Sequence, residues 1–450
     1  MLERMQIGKS KLSGQLLCLL ALAFVGVPAA AQGNVLMIIA DDLGVDRVGV
    51  YDAHPDPGRT PNIDLLASRG VLFRNAWSNP TCSPTRATLL TGRYGFRTGV
   101  GAIIRDTTID DPGLALAELT LPELLQPTHS TAALGKWHLA NGFTQGSTHP
   151  QDSGFDYHAG SIFNLRNSQP GGPGPSGLYY DWDKSVNGVV QRETTYATTD
   201  TVDDALRAMQ ALPEPWFIWV AFNAPHTPFH KPPGHLHTYS LPNTPAVTPV
   251  VHMKAMAEAM DTEMGRLLED VDYSETTIIF LGDNGTASDA TSAPNDSERA
   301  KATLYQGGVH IPLIVAGARV TRPGSECSGL VNLTDMYATV SDLAGYGGRA
   351  RDGVSVVPYL SDPHQPSLRD FVYAERFAPN GGYPYERFGR AIRGERYKLI
   401  DRRLLHEREF YDLLQDPLEL TDLLQGSLNT DQRVALRDLE QKLTRLWNTR

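Results

Sequence analysis

Cysteine is scarce in this chain, with three residues in 450. Cys18 falls in the N-terminal segment, leaving Cys82 and Cys327, so no disulfide framework holds a chain of this length together. A single bridge between those two is the plain alternative to any special role for either. Basic charge is also short. The formal net charge is −11, without the basic stripe that a phosphate backbone requires, which argues against a nucleic-acid partner. A small anionic substrate stays open, because a local pocket can be positive inside an acidic molecule. Apolar runs long enough to span a bilayer are missing, and so are internal repeats.

What is present is an ordinary globular composition, 41% hydrophobic and 20% charged, with length for one large domain and a smaller appendage. The first 31 residues stand apart. Arg4, Lys9 and Lys11 open them, residues 16–27 form a short apolar run, and Ala29, Ala30 and Ala31 offer small residues for cleavage. Residues 1–31 therefore read as a secretory signal peptide, and the expected destination is periplasmic or secreted, with no membrane anchor in the mature form.

Residues 34–40 are a continuous apolar run ending at Asp41, the pattern of a strand buried on both faces of a parallel sheet. Further strands are expected at 71–77, 131–134, 216–222, 276–281 and 311–316, and helices at 61–69, 83–90, 253–268 and 333–344. This alternation predicts an α/β fold over residues 32–367, a doubly wound, mostly parallel sheet flanked by helices, with ligands at the carboxyl ends of its strands. Residues 169–177 and 225–249 are rich in glycine or proline and read as surface loops framing a pocket. From residue 368 the texture changes. Short strands at 371–375, 390–393, 397–400 and 409–413 predict a smaller antiparallel-sheet subdomain over 368–450, closed by a helix bearing Leu439, Leu443 and Leu446 on one face.

Three features carry chemistry. Asp41 and Asp42 are adjacent carboxylates at a strand end, where a hard cation would relieve their repulsion, although capping or turn duty explains them equally well. Asp283, Asn284 and Gly285 follow another strand; alone they make a turn, but beside Asp41 and Asp42 they complete an oxygen-rich set suited to Ca²⁺ or Mg²⁺. No histidine adjoins these carboxylates in the sequence, which speaks against zinc. Residues 82–92 read C-S-P-T-R-A-T-L-L-T-G, placing Cys82 at a helix N-terminus that favours anions and Arg86 one turn further on.

Here the chain resembles the type I, formylglycine-dependent sulfatases of the alkaline-phosphatase superfamily. The signature residues are Cys82, Pro84, Arg86, Thr91 and Gly92. T-P-N-I-D-L-L-A-S-R-G-V-L-F at 60–73, G-K-W-H at 135–138, A-P-H-T-P at 224–228, G-D-N-G at 282–285, Y-Q-G-G-V-H-I-P at 305–312 and F-Y-D-L-L-Q-D-P at 410–417 extend the likeness over nearly the whole chain. The resemblance implies an arylsulfatase-like enzyme that cleaves an aryl or carbohydrate sulfate monoester. Its nucleophile would be a formylglycine hydrate, made from Cys82 by a dedicated maturation enzyme. It implies Ca²⁺, with Mg²⁺ the alternative, held by Asp41, Asp42, Asp283 and Asn284 with residue 82 as a further ligand. Arg86 would orient the diol, Lys136 and Lys301 would bind sulfate oxygens, and His138 would act as base for sulfate release. His226 would be acid or hydrogen-bond donor at the leaving oxygen, with Lys301 its rival.

Each has a bland counterpart: Arg86 as a surface helix residue, His138 as a core histidine, the lysines as solvated charges. Thr85, Thr128, His129, Gln306 and His310 depart from the family's common residues, and the last two could alter pocket charge. His230, His235 and His237 read as solvated loop residues. The rival activity is a phosphonate monoester or phosphodiester hydrolase using the same formylglycine. A non-catalytic relative that binds sulfated glycans is the rival from another class. An alkaline-phosphatase-like enzyme is disfavoured, because Asn284 stands where its second metal would want a histidine.

Overall fold

The computed structural model describes residues 33–105, 111–142, 145–165, 178–347, 351–402 and 405–449. The expected signal peptide and the loop at 169–177 lie outside them. The apolar runs become β1 (Asn34–Ala40), β2 (Gly70–Trp77), β3 (Ser130–Gly135), β4 (Tyr157–Gly160), β5 (Trp182–Val186), β6 (Val189–Glu193), β7 (Trp216–Ala221), β8 (Thr276–Gly282), β9 (Leu313–Gly317) and β10 (Ser325–Asn332). They form one ten-stranded sheet in the order β10-β2-β9-β8-β1-β7-β3-β4-β5-β6. Its centre, β8-β1-β7-β3, is parallel, whereas β9 runs antiparallel to both β2 and β8.

The continuous apolar runs have a direct cause. Successive side chains of a strand point to opposite faces, and here both faces are covered. Leu36, Ile38 and Ala40 of β1 face one core, while Val35, Met37 and Ile39 face another. On the first side lie α1 (Pro61–Ser68) and the helices Ala197–Ala211 and Pro249–Glu269; on the second lie α2 (Cys82–Thr91) and the helix Thr334–Leu343. A proline at the first helical turn starts α1 and the helix at Pro249, where its missing N–H costs nothing.

The second sheet is antiparallel and four-stranded, β11 (Val372–Ala378), β12 (Arg387–Arg393), β13 (Tyr397–Arg402) and β14 (Glu407–Asp412) in sequence order. The helix Thr430–Trp447 packs Leu439 and Leu443 onto its aromatic core. No helix among the described residues is long and apolar enough to cross a membrane. Cys82 and Cys327 are both buried free thiols, so no bridge joins them.

Several elements were not legible. The strand β10, S-E-C-S-G-L-V-N, breaks its apolar residues with serine and glycine. The helix Ala197–Ala211 has three threonines in its first five residues and is called for by its packing on the sheet rather than by propensity.

Arg369 stands in the segment that leads into β11. Its Nε donates to both carboxylate oxygens of Asp335 at 2.7 Å and its Nη2 to Thr334 Oγ1 at 3.0 Å, all buried, and Nη2 also donates to the part-buried Asp352 O at 2.6 Å. Removing one partner of a buried pair strands the other charge. Arg369→Ala is expected to lower the free energy of urea unfolding by about 3–5 kcal/mol; an unchanged transition would contradict this account of the junction.

Candidate active site

The parallel strands set the site. Ala40 of β1 lies in register with Gly282 of β8, so both strands end at one level, and Asp283 N donates to Ala40 O at 3.0 Å. Asp41 and Asp42 therefore emerge beside Asp283 and Asn284. On the other side of β1, β7 ends at Ala221, and Asp41 N donates to Ala224 O at 3.1 Å in the turn that carries His226. Next comes β3, whose Gly135 is level with Ala221, and Lys136 N donates to Ala221 O at 2.7 Å. Four neighbouring strand ends thus deliver seven functional side chains, Asp41, Asp42, Asp283, Asn284, His226, Lys136 and His138, to one edge, the edge at which ligands bind in such sheets. Cys82 begins α2 above them, fully buried.

Such crowding bends the backbone. Asp42, His138 and Ala302 adopt φ of 67°, 60° and 68°, a left-handed conformation that non-glycine residues rarely hold and that functional sites retain against its cost. Gly285 is required for close approach, since a Cβ there would stand 1.8 Å from Gly307 O.

Charge balances within the cluster. Arg86 Nη2 and Nε lie 2.9 and 3.2 Å from Asp283 Oδ2, and its Nη1 donates to Lys136 O at 2.7 Å. Lys136 Nζ is paired with Asp41, and Lys301 Nζ lies 2.5 Å from Asp42 Oδ1. Burial opposes ionisation of Asp41, but Lys136 and the other cations outweigh it and hold this carboxyl well below the usual range. Asp283 goes the other way, pushed up to about 7 by burial and by Asp41 against the pull of Arg86. Burial, then the Asp41 carboxylate 3.4 Å from its sulfur, pushes the Cys82 thiol far up. In the absence of a cation this setting disfavours the thiolate that a cysteine nucleophile needs. Lys301 stays an ammonium: burial disfavours the charge, but Asp42 more than offsets it.

The two histidines are assigned by their partners. His138 Nε2 lies 3.2 Å from Ile104 O, and its buried Nδ1 has no partner among the described residues. In the neutral ring Nε2 then carries the proton and Nδ1 the free lone pair. His226 Nδ1 lies 2.7 Å from Thr227 O, leaving the Nε2 lone pair toward Asp42, 3.8 Å away. Burial lowers both rings, His226 to about 4, so they are neutral at neutral pH.

A divalent cation fits this donor set. Asp41, Asp42, Cys82 and His226 each place a ligand atom within 4.8 Å of the others, and Asn284 Oδ1 is buried without a partner among the described residues. The fold corrects one inference from the sequence: a histidine does stand by these carboxylates, delivered by the turn after β7. Oxygen donors nevertheless outnumber nitrogen.

All ten residues singled out in the sequence, Asp41, Asp42, Cys82, Arg86, Lys136, His138, His226, Asp283, Asn284 and Lys301, converge here. His310 and Gln306 do structural duty, His310 Nε2 being 2.8 Å from Arg74 O and Gln306 Oε1 accepting from Trp77 Nε1 at 2.9 Å. His230 is not solvated; its ring packs on Tyr179 with centroids 4.1 Å apart. Tyr179, missed in the sequence, holds the His226 turn by donating to Asn223 O at 2.5 Å and His226 O at 2.7 Å. No local motif marks it.

Comparison with known proteins gives the chain a family. A family model described as Sulfatase matches residues 33–346, and one described as N-sulphoglucosamine sulphohydrolase, C-terminal, matches residues 299–449. The chain belongs to the sulfatase family. It is 31% identical to arylsulfatase J of Mus musculus over 332 residues, which covers 71% of this chain and 54% of that protein. It is 30% identical to N-acetylgalactosamine-6-sulfatase of Canis lupus familiaris over 384 residues, covering 77% of this chain and 69% of that protein. Among solved structures, Ps i-CgsB in complex with k-i-k-neocarrahexaose superposes with a TM-score of 0.74 at 25% identity, covering 92% of each chain.

Burial holds His226, His230 and His310 near 4 and His158 near 3. Rings whose folded values lie below the unfolded ~6.5 resist protonation that the unfolded chain accepts. Their contribution is complete above that value and is lost as pH falls toward 4, on the order of 3 kcal/mol per ring. Urea unfolding between pH 7 and 4.5 is expected to show stability falling on acidification, with the slope reduced by about one proton in His310→Gln. An unaltered slope in that variant would refute the burial account.

Proposed function

We propose that this sulfatase-family enzyme hydrolyses sulfate monoesters, carbohydrate sulfates foremost, with residue 82 acting as formylglycine and a single Ca²⁺ at the strand ends. The observation that carries this reading is the setting of Cys82. It opens a helix amid three carboxylates and three cations, yet burial and the Asp41 carboxylate 3.4 Å from its sulfur disfavour the thiolate. A cysteine of no use as a thiol, placed where a nucleophile belongs, is accounted for by conversion to another group by a dedicated maturation enzyme. The hydrated aldehyde supplies two hydroxyls on one carbon, one to attack sulfur and one to expel sulfate afterwards.

Asp41, Asp42, Asp283 and Asn284 would hold the cation, which supplies positive charge against sulfate oxygens. With all three aspartates ionised around the cation, the three positive and three negative side chains would cancel, leaving the centre positive toward an anionic ester. Arg86, fixed by Asp283 and Lys136 O, orients residue 82. Lys136 and Lys301 offer ammonium groups to sulfate oxygens. Lys301 is also the better donor to the leaving oxygen, since it stays charged while His226 Nε2 carries a lone pair. His138 Nδ1, free and unprotonated, is the base that would deprotonate the second hydroxyl. The neighbours' names favour sugar sulfates, and export through residues 1–31 belongs to the same proposal.

Two measurements test it. When the protein is produced with the maturation enzyme, the tryptic peptide spanning residue 82 should carry an aldehyde that reacts with hydrazide. Cys82→Ala should cut turnover of sulfate esters by at least about 10³-fold. A peptide that stays wholly cysteine in fully active enzyme would end the formylglycine reading, and a clear preference for aryl phosphonates over aryl sulfates would favour the rival activity. Ca²⁺ added to chelator-stripped protein at a hundred times its Kd should raise the thermal midpoint by about 3 °C or more, and Asp42→Ala should abolish the rise. An equal rise in that variant would place the cation elsewhere.

A further inference from the structure

Two cavities lie against the C-terminal sheet, each lined by a residue next in sequence to a residue of the centre. One has a volume of about 570 Å³ and includes Ala302, the residue after Lys301. The other, of about 470 Å³, includes Thr81, the residue before Cys82. They share Ala102, Arg105, Arg376, Ala378, Glu386 and Arg387, so they are two parts of one groove. Each lies within the size range of ~300–1,000 Å³ seen for ligand sites.

Sheet register explains the floor of this groove. Arg376 of β11 stands opposite Gly389 of β12, and Ala378 opposite Arg387. Residues opposite one another share a face, so two guanidiniums stand diagonally on one side with the smallest residues beside them. The alternate residues, Phe377 opposite Phe388, turn to the other side and enter the aromatic core. Arg376 also donates to Ala302 O, which ties the floor to the segment carrying Lys301. Arg105 enters from the segment whose Ile104 O meets His138.

Arg402, further along, is paired with Glu409, but Arg105, Arg376 and Arg387 form no ion pair with a carboxylate among the described residues. The groove has three acids of its own. Asp111 is committed to Arg105 N at 2.9 Å and Asn380 Nδ2 at 2.7 Å, and neither Glu298 nor Glu386 pairs with an arginine. Burial and the charge of Arg387 together depress the Arg376 guanidinium, a sign that two like charges are held close. Like charges at a diagonal cross-strand position are unfavourable unless an anion bridges them.

We propose that the groove takes the further anionic groups of a multiply sulfated oligosaccharide, on Arg376, Arg387 and Arg105, while the sulfate to be cleaved sits at residue 82. The choice of glycan over another polyanion rests on the sulfatase reading of the adjoining centre. A single-stranded nucleic acid is the competing occupant, and the acidity of the whole molecule opposes it.

Titration separates the two readings, because it needs no turnover. The full-length protein made without the maturation enzyme keeps cysteine at residue 82. A heparin-derived hexasaccharide is titrated into it, alongside the same hexasaccharide after desulfation and a single-stranded DNA of equal charge. The sulfated sugar should bind at least about tenfold more tightly than the desulfated one, and Arg105→Gln with Arg387→Gln should remove about tenfold of that affinity. Arg387→Lys, which keeps the charge, should recover part of it. The groove proposal is overturned if the native protein does not distinguish the two sugars, if the double variant binds the sulfated sugar as before, or if DNA binds as tightly. Sulfate release is assayed separately with matured enzyme: its absence alongside selective binding would sink the reading of the centre and leave the groove standing.

Discussion

Three aspartates and three basic side chains share one buried edge of a parallel sheet, and the rest of the site depends on their balance. Burying a charge is tolerable only when it is paired. Asp41, Asp42 and Asp283 are buried, as are Arg86 and Lys136, while Lys301 is partly buried. Each acid finds a cation, with Lys136 on Asp41, Lys301 on Asp42 and Arg86 on Asp283. Formal neutrality, with all three aspartates ionised, is a poor arrangement for binding an anion. It becomes a good one when a divalent cation is added, because the surplus charge then belongs to the ligand's side of the cluster.

The fold makes that balance by register rather than by loop design. Strands β8, β1, β7 and β3 are adjacent and parallel, so their carboxyl ends line up and the residues that follow them meet without long excursions. The cost appears in the backbone. Asp42, His138 and Ala302 all hold left-handed conformations, and Gly285 yields its side chain so that Gly307 O can approach. Strain and small residues gather where functional groups must converge, while the strands behind them are plain apolar runs packed on both faces.

This division explains what could be read in the sequence. Runs such as V-L-M-I-I-A announce buried strands, and the polar residues directly after them announce the site, because both patterns are local. Asp41 and Asp283 were legible for that reason, Cys82 and Arg86 for their place at a helix start, and Lys136 only through the family resemblance of G-K-W-H. The nearness of His226 to Asp42 was not legible, since it depends on β7 lying beside β1. Tyr179 was hidden for the same reason, its hydroxyl answering carbonyls 44 and 47 positions away. The strand β10 is held by its pairing with β2 and by the core below, not by an apolar run of its own. The antiparallel course of β9 is likewise a matter of tertiary context.

The two sheets also divide the chemical labour. Every group proposed to touch the reacting sulfate, from Asp41 to Lys301, comes from the larger sheet and its connections. The smaller sheet contributes Arg376 and Arg387 from a face whose alternate residues are committed to the aromatic core. That face carries neither the aromatic core nor a member of the buried charge balance, so apart from Arg376 it is freer than the large sheet to vary with the shape and charge of a substrate. The contact of Arg376 with Ala302 O is the point at which the variable part leans on the constant part. A sulfated chain seated along the groove would thus be held at one end by a fixed electrostatic centre and at the other by a surface free to be tuned.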